Sequence, residues 1–319
     1  MIAGMVRTSV AGPAGLLVCL ASLAWGSAVL ASPLDLDEAA VAWSRLEFRA
    51  ADRPDDLSVE VRLSKATPEA QAALLDSGPG DEPVPSQDAT LLQMTSTIEV
   101  FATGRAYRTD IWFYSAGVSP LQRRRDKTGK GANRKIFRYL SDGVRRLRIE
   151  PNGRSEAKLV PEQWTDVKEL FYPFSAARAD CPVLSDPNLL FVIASAGAVG
   201  GKGEPLALCV FNKQTIHRVR LAAEPGETLE ADYLEVKGAD RNQVRRTASV
   251  RKIRIQASVP EADEDNAEPF EFFEMRGEIE IDLDADSGLP LRVAGEIGGV
   301  GRVDFLLSEV AWRPNTKER

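Results

Sequence analysis

The strict alternation of Glu278-Ile279-Glu280-Ile281-Asp282-Leu283-Asp284 constrains this chain more than any other stretch. A period of two sends successive side chains to opposite faces of a strand, a segregation that helical spacing does not produce. The stretch therefore predicts a strand with one apolar buried face and one wet acidic face. Ala285-Asp286-Ser287-Gly288 then offers residues that tolerate left-handed backbone angles, and Leu289-Pro290-Leu291-Arg292-Val293 resumes the alternation as a returning strand. A third run, 302–312, completes an antiparallel meander. In it Val303, Phe305 and Leu307 share one face while Val310 and Trp312 fall on the other, which predicts a β-bulge near Ser308.

The same period recurs along the chain, at 43–49, 57–63, 93–102, 106–114, 121–125, 135–140, 144–149, 206–211, 215–222, 229–236 and 248–259. In 57–63 the apolar residues Leu57, Val59, Val61 and Leu63 oppose Ser58, Glu60 and Arg62. Segment 106–114 is aromatic on both faces, with Tyr107, Ile111 and Phe113 one way and Trp112 and Tyr114 the other, so it is either a central strand between two layers or the wall of a cavity. Three helices are expected. A short one follows Thr67-Pro68-Glu69 and runs to 75, ahead of a Pro/Gly/Asp-rich loop at 77–89. A second starts at Pro161-Glu162-Gln163 and carries Trp164, Val167, Leu170 and Phe171 at helical spacing. A third opens at Asp186-Pro187 and is apolar on every side through Leu189, Leu190, Phe191, Val192 and Ile193, which predicts full burial against the sheet. The fold class is mainly β: a strongly curved antiparallel sheet or half-barrel with two or three short helices.

Residues 1–31 carry a single charge, Arg7, then the apolar run Leu16-Leu17-Val18-Cys19-Leu20 and a small-residue ending at Val29-Leu30-Ala31. This is the pattern of a signal peptide cut after Ala31. The other reading, an uncleaved anchor, rests on the lack of charge between Thr8 and Leu34; Pro13 and the small ending favour removal. The rest, 32–319, is expected to be one β-rich domain, with a subdivision near 151–160 left open, and to reside in the periplasm or be secreted. No later segment is apolar enough for a transmembrane span. With 40 Lys and Arg against 47 Asp and Glu, the chain is a poor partner for nucleic acid. Beyond the leader two cysteines remain, Cys181 and Cys209. In an oxidising compartment they form a single disulfide; the alternative is two buried free thiols, and there is no Cys-x-x-Cys redox pair.

Chemistry-bearing motifs are few. The single histidine, His217, lies on the polar face of a strand and cannot by itself build a multi-histidine metal site. Gly201-Lys202 departs from a phosphate loop at Ala196 and Gly203. Asp282-x-Asp284-x-Asp286 has the opening spacing of a calcium loop, but Ser287 stands at the glycine position and Val293 at that of the bidentate glutamate. No catalytic residue, metal or cofactor is therefore assigned, and a non-enzymatic role is expected. The unusual feature is charge. Eleven Lys and Arg lie between 119 and 150 against three acids, in an otherwise acidic protein. One reading is a surface for anionic lipid headgroups, glycans or an acidic partner. The other is that these cations pair with the acidic 278–284 strand and the 261–268 loop.

From Asp186 onward the chain resembles a family of exported envelope proteins of Gram-negative bacteria known only as a domain of unknown function. The residues that carry the likeness are Asp186-Pro187-Asn188-Leu189-Leu190, the strand pair 209–213 and 217–221, the stretch 281–293 and Gly299-Val300-Gly301-Arg302-Val303. The resemblance implies a periplasmic β-rich protein, distantly similar to the curved, helix-plugged sheets of lipoprotein carriers, and transfers no active-site residue. On that expectation an acyl chain or lipid occupies an apolar concave face lined by Phe101, Trp112, Phe113 and Phe191, with Arg123, Arg124 and Arg125 as anion contacts. The alternative is a structural or assembly module that docks an envelope protein through the basic 119–150 hairpins.

Overall fold

The computed structural model describes residues 34, 36, 38–53, 56–69, 74, 90–101, 104–174, 181, 183–199, 204–259 and 268–314. Eight strands lead: β1 (Trp43–Ala50), β2 (Leu57–Lys65), β3 (Leu91–Val100), β4 (Arg105–Tyr114), β5 (Ser119–Lys127), β6 (Asn133–Tyr139), β7 (Gly143–Glu150) and β8 (Asp166–Pro173). A single helical turn, α1 (Gly153–Glu156), separates the last two. Then come β9 (Leu184–Ser185), α2 (Leu189–Ser195), β10 (Leu206–Asn212), β11 (Thr215–Lys237), β12 (Asp240–Ser258), β13 (Met275–Asp284), β14 (Pro290–Ile297) and β15 (Gly301–Trp312).

All fifteen strands belong to one sheet, which runs β8 through β1 in reverse order, crosses to β15, and continues down to β9. The jump from β1 to β15 joins the two ends of the chain, with Leu46 opposite Val310. Strand β11 is long enough to pair twice. Its first half meets β10 and its last residues pair in parallel with β15, Leu234 opposite Glu309, so the pairings β11 to β15 close on themselves. The expected strands 215–222 and 229–236 are thus one strand, bent by a bulge between Pro225 and Thr228. Gly226 permits that bend, because a Cβ there would sit 2.5 Å from a Val250 methyl carbon.

The meander behaves as its alternation requires. Glu309 is opposite Glu47 but Leu307 is opposite Phe48, so Ser308 is the extra residue of a bulge, and its hydroxyl donates to the Glu47 carbonyl at 3.0 Å. The bulge puts Val303, Phe305, Leu307 and Val310 all in the core. The acidic face of β13 is a correction: it is not wet. Glu280, Asp282 and Asp284 are buried beneath long cations from the neighbouring strands. Lys252 and Arg302 reach Glu280 at 3.4 Å, Arg292 reaches Asp282 at 2.6 Å, and Arg246 pairs with Asp284. Asp284 also accepts from the Asp286 and Ser287 amides, which makes the Asp282-x-Asp284-x-Asp286 row a capped turn.

The helix expected from 161 is also corrected. Pro161–Gln163 is one 3-10 turn, and Asp166–Pro173 is the edge strand β8. Trp164 tucks its indole N–H onto the carbonyls of Glu156 and Leu159, while the Glu156 carboxylate holds the amide and hydroxyl of Thr165. These bonds turn the chain back beside β7, with Glu150 opposite Asp166, so strands on either side of 151–160 pair directly. Val167, Leu170 and Phe171, read as one helical stripe, lie on both faces of that edge and are exposed. The helix expected up to 75 and the 77–89 loop lie largely outside the described residues.

The apolar helix forms as α2, and every one of its seven residues is buried. It starts at Leu189, two residues later than Asp186-Pro187 suggested, after a turn in which Asp186 accepts from the Asn188 and Leu189 amides. Phe191 packs on Trp43 at 5.8 Å, Phe48 at 6.0 Å and Phe273 at 5.5 Å between ring centres. A second apolar cluster shows how the sheet rolls. Phe137, Tyr139, Val144 and Tyr172 of β6, β7 and β8 pack on Leu184, Phe211 and Ile216, so the β9–β10 end lies inside the β5–β8 end. The Cys181–Cys209 disulfide sits in this cluster. Among the described residues no helix is long and apolar enough to cross a membrane.

Candidate functional site

Strand alternation sorts the basic hairpins. In β5 and β6, Gln122, Arg124, Asp126, Arg134, Ile136 and Arg138 face outward, whereas Arg123, Arg125, Lys127, Lys135, Phe137 and Tyr139 face into the roll. Register fixes this, since Arg123 is opposite Phe137 and Arg125 is opposite Lys135. Three outward cations are paired locally. Arg124 reaches Asp110 at 2.8 Å, Arg134 bridges Asp126 and Glu162 at 2.7 Å each, and Arg145 reaches Glu169 at 2.5 Å. None of them uses the acidic β13 face, whose partners come from β12, β14 and β15.

Inward, the balance differs. Arg105, Arg123, Arg125, Lys127, Lys135, Arg146, Arg148 and Lys168 face four carboxylates that contact them, a surplus of four positive charges; Lys168, opposite Arg148, is met by Asp166 at 3.1 Å. Asp186 takes Arg123 at 3.0 Å, Glu274 takes Arg125, and Glu150 takes Arg148 at 2.7 Å. Lys135 is the most exposed to this imbalance. It stands directly between Arg125 and Arg148, and among the described residues it has neither hydrogen bond nor ion pair. Burial, with repulsion from Arg125, Arg148, Arg146 and Arg123, lowers its pKa to about 8. Lys127 is lowered in the same way, by burial and then by Arg105 and Arg125. Glu268 lies near Lys135 but is already held by Lys213 at 2.8 Å.

Aromatic rings rather than carboxylates place several of these cations. The Arg125 guanidinium lies over Tyr107 at 5.1 Å, and that of Arg146 over Tyr172 at 5.3 Å. Among the described residues, Nε of Arg105, Arg125, Arg146 and Arg148 is buried without a partner. Stacking fixes a guanidinium plane without itself using the N–H groups as donors.

At one end of this face stands a buried hub. Asp186 is fully buried and accepts from Arg123, from the Tyr139 hydroxyl at 2.7 Å and from the Asn188 amide at 3.0 Å. Burial and the adjacent carboxylate push the Tyr139 phenol well above its ordinary pKa, so it stays protonated and donates. At the other end Phe273 and Glu274 form the two central residues of a tight turn with φ of 48° and 62°, closed by Phe272 and Met275. Neither is glycine, and this strained turn aims Phe273 at α2 and Glu274 at Arg125.

The residues expected to line an apolar cavity do not come together. Phe113 and Phe191 are buried in the main core, Trp112 is buried on the opposite face of β4 beneath Arg124, and Phe101 is exposed at the end of β3. The interior space between Phe48, Val59, Phe273, Met275, Val293 and Phe305 leaves no room for a water molecule. Of the arginine run, Arg123 and Arg125 face inward as anion contacts require, but Arg123 is consumed by Asp186 and Arg124 points outward. Lys127, Lys135, Arg146 and Arg148 belong to the basic 119–150 segment, and Arg105 lies outside it; the strand period carried through both hairpins places them on one face. His217 is also corrected: it is buried beside Phe270 instead of on a polar face, and burial, then Lys213, lowers its pKa to about 4.

No known family matches this chain, and no curated protein matches it either. Among solved structures, a β-barrel-like protein of domain of unknown function DUF1849 from Brucella abortus is similar, at 9% identity and a TM-score of 0.35, over 86% of this chain and 99% of that one. At this level the likeness says nothing of ligand or activity.

Proposed function

We propose that this is an exported, non-enzymatic envelope protein that binds an anionic ligand on the inner face of β4–β8. The observation that carries the reading is the row Arg125, Lys135, Arg148, three like charges directly opposite one another across three strands, with the central one uncompensated. Like charges in that position destabilise a sheet, so they are expected where a ligand supplies the missing charge. The leader-like N-terminus and the disulfide support an oxidising compartment outside the cytoplasm. Binding rather than catalysis is supported by the one histidine, which is packed in the core and neutral above about pH 4. An acyl chain is not the favoured ligand, because α2 and the core aromatics fill the roll.

The test is affinity for a panel of polyanions, heparin, polyglutamate and polyphosphate, measured on the mature protein and on the K135E/R148E variant. Binding of at least one by the first and none by the second is expected. A mature protein that binds none of them overturns the reading. One observation favours a second reading, the docking of a protein strand: edge strand β8 exposes Val167, Leu170 and Phe171. In that case V167K/F171K removes a partner while leaving polyanion affinity unchanged.

A further inference from the structure

We infer that the ligand of this face carries two or more neighbouring phosphate groups and lies across β5, β6 and β7 along Arg125, Lys135 and Arg148. The inference rests on the anion-binding reading above and names the chemistry of the anion. Adjacent strands are about 4.8 Å apart, so the row spans ~10 Å from Arg125 to Arg148. Lys127 and Arg105 extend it at one end and Arg146 at the other. Over the row and these three flanking cations the surplus is four charges, which one carboxylate or one sulfate ester, each bearing a single charge, does not match. A phosphate monoester brings about −1.5 to −2 and three acceptor oxygens. Two such groups match both the charge and its density.

The donors have the matching form. Arg125 and Arg148 each give one terminal nitrogen to one carboxylate, and Arg146 lies over the Tyr172 ring. Planar N–H edges fit the tetrahedral face of a phosphate bidentately, and Lys135 between them supplies a point charge. Glu274 and Glu150 then act as resting counter-ions at the two ends of the row, not as full neutralisation. The phosphates can belong to a lipid headgroup or to a free oligophosphate, and the row serves either.

Isothermal titration of the mature protein with tripolyphosphate, orthophosphate and citrate, together with co-sedimentation on phosphatidylcholine vesicles with and without phosphatidic acid, tests the inference. Tripolyphosphate is expected to bind at least ~10-fold tighter than citrate or orthophosphate. If membrane headgroups are the source, the vesicles containing phosphatidic acid sediment the protein as well; tripolyphosphate binding without sedimentation assigns a free oligophosphate. Citrate binding as tightly as tripolyphosphate, with dependence on Lys135, overturns the phosphate assignment and leaves the anion-binding reading standing. No binding of any anion overturns both.

Three variants place the site. K135M should lose ~10-fold or more in affinity, and R124M, on the opposite face, should change it less than about 2-fold. E274N keeps a residue that tolerates the left-handed turn and frees Arg125, so it should bind ~3-fold tighter or better. Equal losses in K135M and R124M, or weaker binding by a folded E274N, would show that the inner row is not where the anion sits.

Discussion

Replacing Lys135 by methionine should make the protein more stable, the reverse of the usual outcome for a partly buried residue. Lys135 drops from an ordinary pKa of 10.5 to about 8, so its charged form is disfavoured in the fold. At ~1.4 kcal/mol per unit, that penalty is about 3 kcal/mol at neutral pH, where the lysine is charged both folded and unfolded. Coulomb's law agrees in size, since a like charge ~6 Å away at an effective dielectric of about 20 repels by ~3 kcal/mol, before Glu274 and Glu150 offset part of it. Lys135 is partly exposed, and water screening takes a share of this. Methionine keeps the packing of the stem, so K135M should gain ~1–3 kcal/mol. Urea unfolding at pH 7 reads this as a higher midpoint at unchanged slope. The sign of the pH dependence gives a second check. Between about pH 8 and 10.5 the unfolded chain binds the extra proton, so the wild type gains stability as pH rises through that window and the gap to K135M closes. A destabilised K135M, or a gap that stays constant across the window, would refute the argument that like charges are forced together here.

Three further outcomes follow from buried groups. Asp186→Ala should cost ~3–5 kcal/mol by leaving Arg123 charged and unpaired in the core, whereas the R123M/D186L pair should cost much less, and strictly additive single and double variants would sink the idea of a coupled hub. Cys209→Ser should cost ~3.5 kcal/mol, the loop-closure value for a disulfide spanning 28 residues, read by denaturation with and without reductant; a loss under 1 kcal/mol, by the same loop-closure yardstick, would mean the roll holds without it. His217 is 2% exposed and titrates at about 4 instead of 6.5, so the unfolded chain takes up its proton first. Stability should therefore fall as pH drops from 6.5 towards 4, by up to ~3 kcal/mol, and H217Q should show a flatter profile in that range.

Much of the fold is legible in the sequence because alternation is a local property. Leu57, Val59, Val61 and Leu63 are buried as their spacing demands, and the face change between Leu307 and Val310 located the Ser308 bulge. The all-apolar run at 189–193 announced a buried helix for the same reason: nothing in it suits water. Segment 161–171 misled because its apolar residues fit a helical period and an edge strand equally well, and the choice was made by Trp164 and Glu156 bonding across the preceding turn. The apolar site residues were misplaced for a related reason. Trp112 and Phe113 are sequence neighbours on opposite faces, and only the roll decides which face is core and which lies under Arg124.

The amino-acid sequence by itself determined which residues share a face, where the strands turn, and which two cysteines remain to be joined, because backbone sterics enforce a period of two inside every strand. Only the tertiary structure decided what each face meets. The acids of β13 became buried because cations from β12, β14 and β15 were brought over them, and the basic hairpins split into an outer set and an inner row centred on Lys135 because β5, β6 and β7 adopted one register. Register and roll depend on pairings between residues as far apart in sequence as Ala42 and Arg313, and no local period encodes them.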